Sequence, residues 1–552
     1  MKDRSFFIQA FLYVSFLFFL VYGLTSIGKN FSISIFVAKL VGWAMLATLF
    51  YVCYGAKKAG YIMCYIILLI STLCFVIDLC CLWIFETPLS GAMVATLLET
   101  NPSEAMSFFE LYGAKIIWAI CVSLVGIGVG FLVFKKVHLP FVGLKILAFL
   151  GIFAWIYEIY LLVPNFASCQ YRNTFTFMTP MRQGCEFYRA LHELQEAQKA
   201  LKEYQKLFAF KTVSATSLTS TEKIKNLVLI LGESTQRGYM QIYGFFDPTT
   251  PLLSTFEINK NLFVFSDVIS PHAQTTLSLK NVLTFSNVEN SEKPWYLQEN
   301  LVSLFRQYGY WVTWVSNQLN VTHGGPIGAI ASLSQEAHFV SEYKRNFDEV
   351  FYDGRLLEFA KPDSKKAFQF FVFHLMGAHA SYGNRYPQSF AYFNDRTFNL
   401  RDRTIARYKN AVLYNDYVVS EIFKSFSSSD SLVIYLADHG EEVYDYRDFV
   451  GHSDDKISRF MVEIPFMIYV SDLFIQKHPE LYQRIKKAIN RPYMTDDLIH
   501  TILDIAGIKT QDFNPTRSII NDAFNASRKR IVGGAQGKDY DKELKNQKAL
   551  YH

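Results

Sequence analysis

NLVLILGES, residues 226–234, decides the fold of the second half of this chain. An apolar, β-prone run ends abruptly in Gly232, Glu233 and Ser234, as a strand buried on both faces does when it delivers polar groups at its carboxyl end. The pattern recurs downstream. FQFFVF (residues 368–373) runs into His374 and then His379 of HLMGAH, and LVIYL (432–436) runs into Asp438, His439 and Glu441 of ADHGEE. Further strand-like runs are Leu262 to Phe265, Trp311 to Val315 and Phe466 to Val470, separated by longer mixed segments. The alternation predicts an α/β domain with a mostly parallel central sheet flanked by helices, starting near Lys225. In such sheets ligands bind beyond the carboxyl ends of the strands, where the recurring carboxylates and imidazoles lie.

Upstream the character changes. The chain has 552 residues, 51% hydrophobic and only 19% charged, too apolar for disorder and unusual for one soluble domain. The excess lies in roughly the first 165 residues, where five apolar runs approach the ~20 residues that cross a bilayer. They are Ser5 to Leu24, Ile33 to Tyr54, Tyr61 to Phe85, Lys115 to Phe134 and Val142 to Val163. A signal peptide could imitate the first, but no small-residue cleavage site follows and four more runs come after. Lys2, Arg4, Lys57, Lys58, Lys135 and Lys136 fall on one set of connections and only Lys29 on the other, which predicts a cytoplasmic N-terminus and everything after Val163 outside the inner membrane. Asp78 and Glu158, ionisable groups inside predicted spans, are functional suspects or face other helices. The net charge of +5 is too small at this length for a nucleic-acid binder.

Three parts follow: a five-helix membrane domain (1–164), a bridging segment (165–224) and a catalytic domain (225–552). In the bridge, Cys185 to Phe210 reads as an amphipathic helix and Lys211 to Lys223, KTVSATSLTSTEK, as a linker. Six of the eight cysteines lie in the apolar runs as small hydrophobes, whereas Cys169 and Cys185 could pair in an oxidising compartment.

Glu, Asp and His together suit Zn²⁺, which takes imidazole nitrogen and carboxylate oxygen and leaves a position open for a nucleophile. SPHAQTTLS (270–278) follows the strand-like LFVFSDVIS and supplies hydroxyls at the same edge; a Thr hydroxyl needs such activation. Each residue also has a plain reading: Glu233 as a helix cap, His374 as a buried histidine, Asp438 and His439 as turn residues.

GES after a strand, a Thr-rich turn about forty residues on, HxMGxH, ADHGEE and the ending MTDDLIHTILDIAGI…FNPTRSIINDAF together resemble the bacterial phosphoethanolamine transferases of the alkaline phosphatase and sulfatase superfamily. The resemblance covers nearly the whole chain. Its tail is most similar to the subgroup acting on lipooligosaccharide core heptose or several envelope acceptors, and less to the lipid A and colistin-resistance enzymes, since no cysteine follows Cys185. It implies zinc ligands at Glu233, Asp438 and His439 and the nucleophile at Thr275, three residues before Ser278, with Thr276 the alternative. It implies phosphoryl or leaving-group contacts at His379 and His452, sometimes with a second, weaker metal, and substrate contacts at Asn317 and Gln318. LLETNPSEA adds Asn101 and Glu104 toward the lipid donor, although Asn101-Pro102 also suits a turn. Where the lipid A enzymes place a lysine, this chain has Thr322 and His323. The implied activity is transfer of phosphoethanolamine from phosphatidylethanolamine to an envelope acceptor through a phosphothreonine. A glycerol-phosphate transferase of lipoteichoic acid synthase type and a membrane-anchored phosphatase remain alternatives. A formylglycine sulfatase would need Cys or Ser in a C/S-x-P-x-R setting, and none is present.

Overall fold

The computed structural model describes residues 2–549 apart from 27–32, 86, 101, 135–140, 163–178, 210–222, 257, 259, 291, 319–325, 344–349, 535 and 536. Asn101, Cys169, Thr322, His323 and all of the linker but Lys223 lie outside the described residues. The chain forms two compact units, Met1–Gln195 and Glu196–His552.

The first unit is helical: α1 (Lys2–Ser26), α2 (Ile33–Gly55), α3 (Lys57–Phe85), α4 (Gly91–Glu99), α5 (Pro102–Phe134), α6 (Phe141–Leu162) and the start of α7 (Thr179–Ala209), which runs on past Gln195. Each expected span falls on a long helix. Among the described residues, Lys58–Phe85 and Phe108–Gly126 are long and apolar enough to cross a membrane, while Arg4–Leu20, Leu40–Gly55 and Phe141–Tyr157 are shorter apolar stretches. The bridging helix expected from Cys185 starts earlier, at Thr179, and α4 was not expected, because nine residues of mixed pattern carry little period. Its cap is local: the Ser90 side chain accepts from the Met93 N–H.

Asp78, inside α3, is fully buried. Its carboxylate is paired with the Arg182 guanidinium at the start of α7 and accepts the Leu89 N–H at 3.1 Å. A carboxylate among apolar helices is tolerated because a cation meets it there. The Gln183 amide donates to the Cys74 carbonyl at 2.9 Å, adding a second tie between α7 and α3. Glu158 lies on α6 and Glu104 on α5.

The second unit is built on a seven-stranded sheet: β1 (Asn226–Gly232), β2 (Leu262–Val264), β3 (Trp311–Ser316), β4 (Glu336–Phe339), β5 (Gln369–His374), β6 (Ser431–Ala437) and β7 (Phe466–Val470), ordered β2-β7-β6-β1-β5-β3-β4. All six expected strands are present. The edge strand β4, EAHF, escaped notice because it is short, half exposed and polar. The sheet is mixed: β7 runs antiparallel to both β6 and β2, and the other pairs are parallel. Every residue of β1, β5 and β6 is buried, which is why these strands read as unbroken apolar runs without alternation. Register then does the functional work. Leu231 pairs with His374 and Gly232 with Ala437, so Glu233, His374 and Asp438 leave the sheet side by side.

Candidate active site

Glu233 and Asp438 leave adjacent parallel strands. Their carboxylates are fully buried, and His439 follows directly on the chain. One ligand atom from each of Glu233, Asp438 and His439 lies within 4.8 Å of the others. His439 Nε2 stands 3.5 Å from Glu233 Oε1 and 3.4 Å from Asp438 Oδ2. The imidazole is oriented from behind, with Nδ1 2.8 Å from the Gly440 carbonyl oxygen. Such a bond fixes the tautomer that leaves Nε2 as a lone pair facing the carboxylates.

Two buried carboxylates at this separation call for a cation. Burial first, and then the charge of Asp438, push the Glu233 pKa well above its ordinary range. Asp438 Oδ2 is buried without a hydrogen-bond partner. Burial also lowers the His439 pKa, keeping the ring neutral. Neutral imidazole plus two carboxylates is a donor set that fits a zinc-like divalent ion and leaves a position open.

The hydroxyl brought to this cluster is that of Thr275, whose Oγ1 lies 3.2 Å and 3.3 Å from the two Glu233 carboxylate oxygens and 3.2 Å from His439 Nε2. Thr275 opens α8 (Thr275–Leu283), and one turn later Ser278 Oγ donates to the Asp438 carbonyl at 2.5 Å, locking α8 in register with β6. The backbone around Glu233 is equally constrained. Ser234 has φ of 51°, an uncommon conformation for a residue with a side chain, held by its N–H to Asp438 Oδ1 at 3.0 Å and its hydroxyl to Glu233 Oε1 at 2.8 Å. Gly377 of HLMGAH comes so close that a Cβ there would lie 2.6 Å from the Glu233 carbonyl oxygen, and its φ is +49°. That glycine is there for space as well as conformation.

The remaining expected residues divide. The His452 ring packs on that of His439, centroids 4.0 Å apart, and its Nδ1 is 2.6 Å from Glu441 Oε2. Burial opposes its charged form, but the charge and hydrogen bond of Glu441 outweigh burial and raise the pKa. Glu441 is itself held by the Tyr382 hydroxyl. His439, Glu441 and His452 also lie within 4.8 Å by one ligand atom each. His379 is partly exposed, but its Nδ1 is shielded from solvent without a hydrogen-bond partner, and desolvation followed by Arg385 lowers its pKa. Gln318 reaches the site, its Nε2 3.4 Å from Glu233 Oε2 and 3.0 Å from the Leu375 carbonyl oxygen. Asn317 is occupied otherwise: its amide donates to the Phe351 carbonyl and to Asp353, both at 2.8 Å. Asp353 in turn accepts the Met376 and Gly377 N–H groups at 2.8 Å, so Asn317 supports the loop that carries His379. His374 faces Ser316 Oγ at 3.3 Å, and burial lowers its pKa to about 4, the plain buried histidine. Tyr382 and Asp353 are not among the residues the sequence points to, and Glu441 stands there only as part of ADHGEE, without a role. Glu441 alone carried a signal, a second carboxylate three residues after Asp438 at the same strand end.

The Sulfatase family profile matches residues 225–508. The chain belongs to the sulfatase family. Phosphoethanolamine transferase EptC of Escherichia coli O18:K1:H7 (strain RS218 / NMEC) is 28% identical to this sulfatase-family chain over 491 residues, covering 84% of this chain and 83% of its own. The crystal structure of the C-terminal periplasmic domain of EptC from Escherichia coli in complex with Zn is similar at 30% identity and a TM-score of 0.55, covering 61% of this chain and 98% of that one. The integral membrane protein lipooligosaccharide phosphoethanolamine transferase A (EptA) from Neisseria meningitidis shares the fold over 94% of this sulfatase-family chain and 98% of its own, with a TM-score of 0.60 at 17% identity.

Proposed function

We propose that this chain is a phosphoethanolamine transferase that moves the group from phosphatidylethanolamine to a hydroxyl of a cell-envelope acceptor, lipid A, core oligosaccharide or surface protein. The observation that carries the reading is the Thr275 hydroxyl within 3.3 Å of both Glu233 carboxylate oxygens and 3.2 Å from His439. Relatives and the zinc-bound EptC domain support the reaction class. Glu233, Asp438 and His439 would hold Zn²⁺ beside Thr275, with His439, Glu441 and His452 a candidate for a second, weaker ion. When bound, zinc supplies a Lewis acid that lowers the pKa of a hydroxyl and offsets charge on phosphoryl oxygens.

The residues of the chain do the rest. Thr275 enters as the alkoxide, its proton lost to solvent beforehand; Oγ1 attacks phosphorus in line, the bond to diacylglycerol oxygen breaks, and that oxygen takes up a proton. His452 is suited to supply it: Glu441 holds Nδ1 and favours the protonated ring, so Nε2 carries a transferable proton. The acceptor hydroxyl then displaces Thr275 in a second in-line step, returning its proton by the same route. Five helical spans with the N-terminus inside, and a catalytic domain on the periplasmic face, keep this site at the membrane surface where donor headgroups lie. LLETNPSEA, which follows the third span in sequence, would supply Asn101 and Glu104 as polar residues for the donor.

Thr275→Ala decides the case. Wild-type protein incubated with phosphatidylethanolamine should gain the mass of one phosphoethanolamine group on the peptide containing Thr275, and the variant should neither gain it nor transfer it while keeping its thermal midpoint. Transfer by a folded Thr275→Ala protein would refute the assignment.

A further inference from the structure

Thr275 stands at the first position of α8, whose N-cap residue, Gln274, makes no capping hydrogen bond with its side chain. The turn is instead held from outside. Asp454, two residues beyond His452, accepts the Ala273 N–H through Oδ1 at 2.7 Å and faces His272 Nδ1 through Oδ2 at 2.6 Å. One carboxylate thereby takes the Ala273 N–H and the His272 ring of the segment leading into Thr275. The His272 and Asp454 side chains are 15% and 12% exposed, so the bonds are substantially shielded from water. The same segment is pinned at its start, where Ser270 N–H donates to the Val462 carbonyl at 2.8 Å, and at Pro271, whose carbonyl accepts the Gly533 N–H at 2.9 Å.

We propose that Asp454 is a positioning residue that clamps the Thr275 turn to the His452 loop, so that nucleophile and proton donor are set by one carboxylate. His452 and Asp454 belong to the same short segment, and Ala273 and Thr275 to another, so any movement of Asp454 changes the spacing of both. His272 turns a single hydrogen bond into a two-point grip that resists rotation of the turn about the Ala273 amide. The proposal rests on the reading of Thr275 as nucleophile, and it concerns geometry rather than binding of substrate or metal. A misplacement of about 1 Å at a reacting group can cost roughly a hundredfold in rate.

The test uses the full-length protein in detergent with bound zinc, comparing wild type, Asp454→Asn, Asp454→Ala and His272→Asn. Hydrogen exchange of the peptide spanning 270–276 should be faster in Asp454→Ala and less so in Asp454→Asn, which keeps an oxygen for the Ala273 N–H. Turnover should fall roughly tenfold to a hundredfold in Asp454→Ala, with KM for phosphatidylethanolamine within about twofold, zinc content unchanged and the thermal midpoint retained. His272→Asn should lose less. Wild-type exchange and turnover in Asp454→Ala would overturn the clamp. So would a rate loss that tracks loss of zinc or of the thermal midpoint, since that is a structural role. If the wild type never carries phosphoethanolamine on Thr275, the reading of the nucleophile fails separately, and the exchange data still report on the clamp.

Discussion

At the scale of single residues, chemistry is concentrated where buried polar groups have no cheaper arrangement. Glu233 and Asp438 are buried side by side, and Glu441 lies between Tyr382 and His452 with both carboxylate oxygens engaged. Replacing Glu441 by Gln keeps the size and much of the hydrogen bonding but removes the charge that favours a protonated His452. Turnover should then fall by roughly a hundredfold, in the range of losing one general acid. Zinc at the Glu233, Asp438 and His439 site should stay at the wild-type level, because those three residues are untouched. Parallel metal analysis and initial rates check this, and an unchanged rate would remove His452 as the proton donor. The ligand residues were legible in the sequence because each follows an apolar strand by one or two positions. Glu441 and Asp353 were less so, since a carboxylate that holds another side chain looks, in one dimension, like any turn residue.

At the scale of elements, the six strands readable from sequence are those buried enough to show continuous apolar runs, and the parallel register converts them into an active site. What stayed hidden was set by tertiary contact: β4 is defined by its pairing with β3, and Asn317 by the Phe351 and Asp353 groups that occupy its amide. A buried histidine outside the site makes a pH prediction possible. His500 lies in the helix Leu498–Ile505, accepts the Asn514 N–H at 3.1 Å, and packs against Phe285 and Phe513. Burial, with Arg517 and Arg528 nearby, lowers its pKa to about 3. The unfolded chain therefore takes up a proton near the ordinary histidine value of about 6.5 while the folded one does not. The stability tied to neutral His500 is present above that pH and is lost as pH falls toward about 3, amounting to about 2 kcal/mol by pH 5. His500→Gln, whose side-chain oxygen can still accept from Asn514, should flatten the fall in thermal midpoint between pH 7 and pH 5. An equal fall in both proteins would assign the acid sensitivity elsewhere.

At the scale of the whole molecule, the excess of apolar residues and the catalytic carboxylates belong to separate compact units, each with its own core. The catalytic unit contains a continuous apolar cluster on its sheet, from Leu227 and Phe263 through Trp314 and Phe370 to Ile468 and Leu503. The helical unit has another, built on Phe7, Phe11, Phe50 and Cys64. Composition differs sharply between the two units, but it carries no trace of the Asp78–Arg182 pair, which joins residues about a hundred positions apart. A self-contained core predicts that residues 223–552, produced alone, fold cooperatively and bind zinc. On the proposed function, what the isolated domain loses is confinement to the membrane surface that carries the donor. Tethering converts encounter with a headgroup from a bimolecular event to one at an effective concentration on the order of millimolar. The isolated domain should cleave a soluble short-chain phosphoethanolamine ester with the kcat/KM of the full-length protein. On phosphatidylethanolamine in vesicles its rate should fall by roughly a hundredfold or more at micromolar enzyme. Equal rates on vesicles would mean that the helical unit does not deliver the donor. A matching loss on the soluble ester would mean that the helices complete the active site itself.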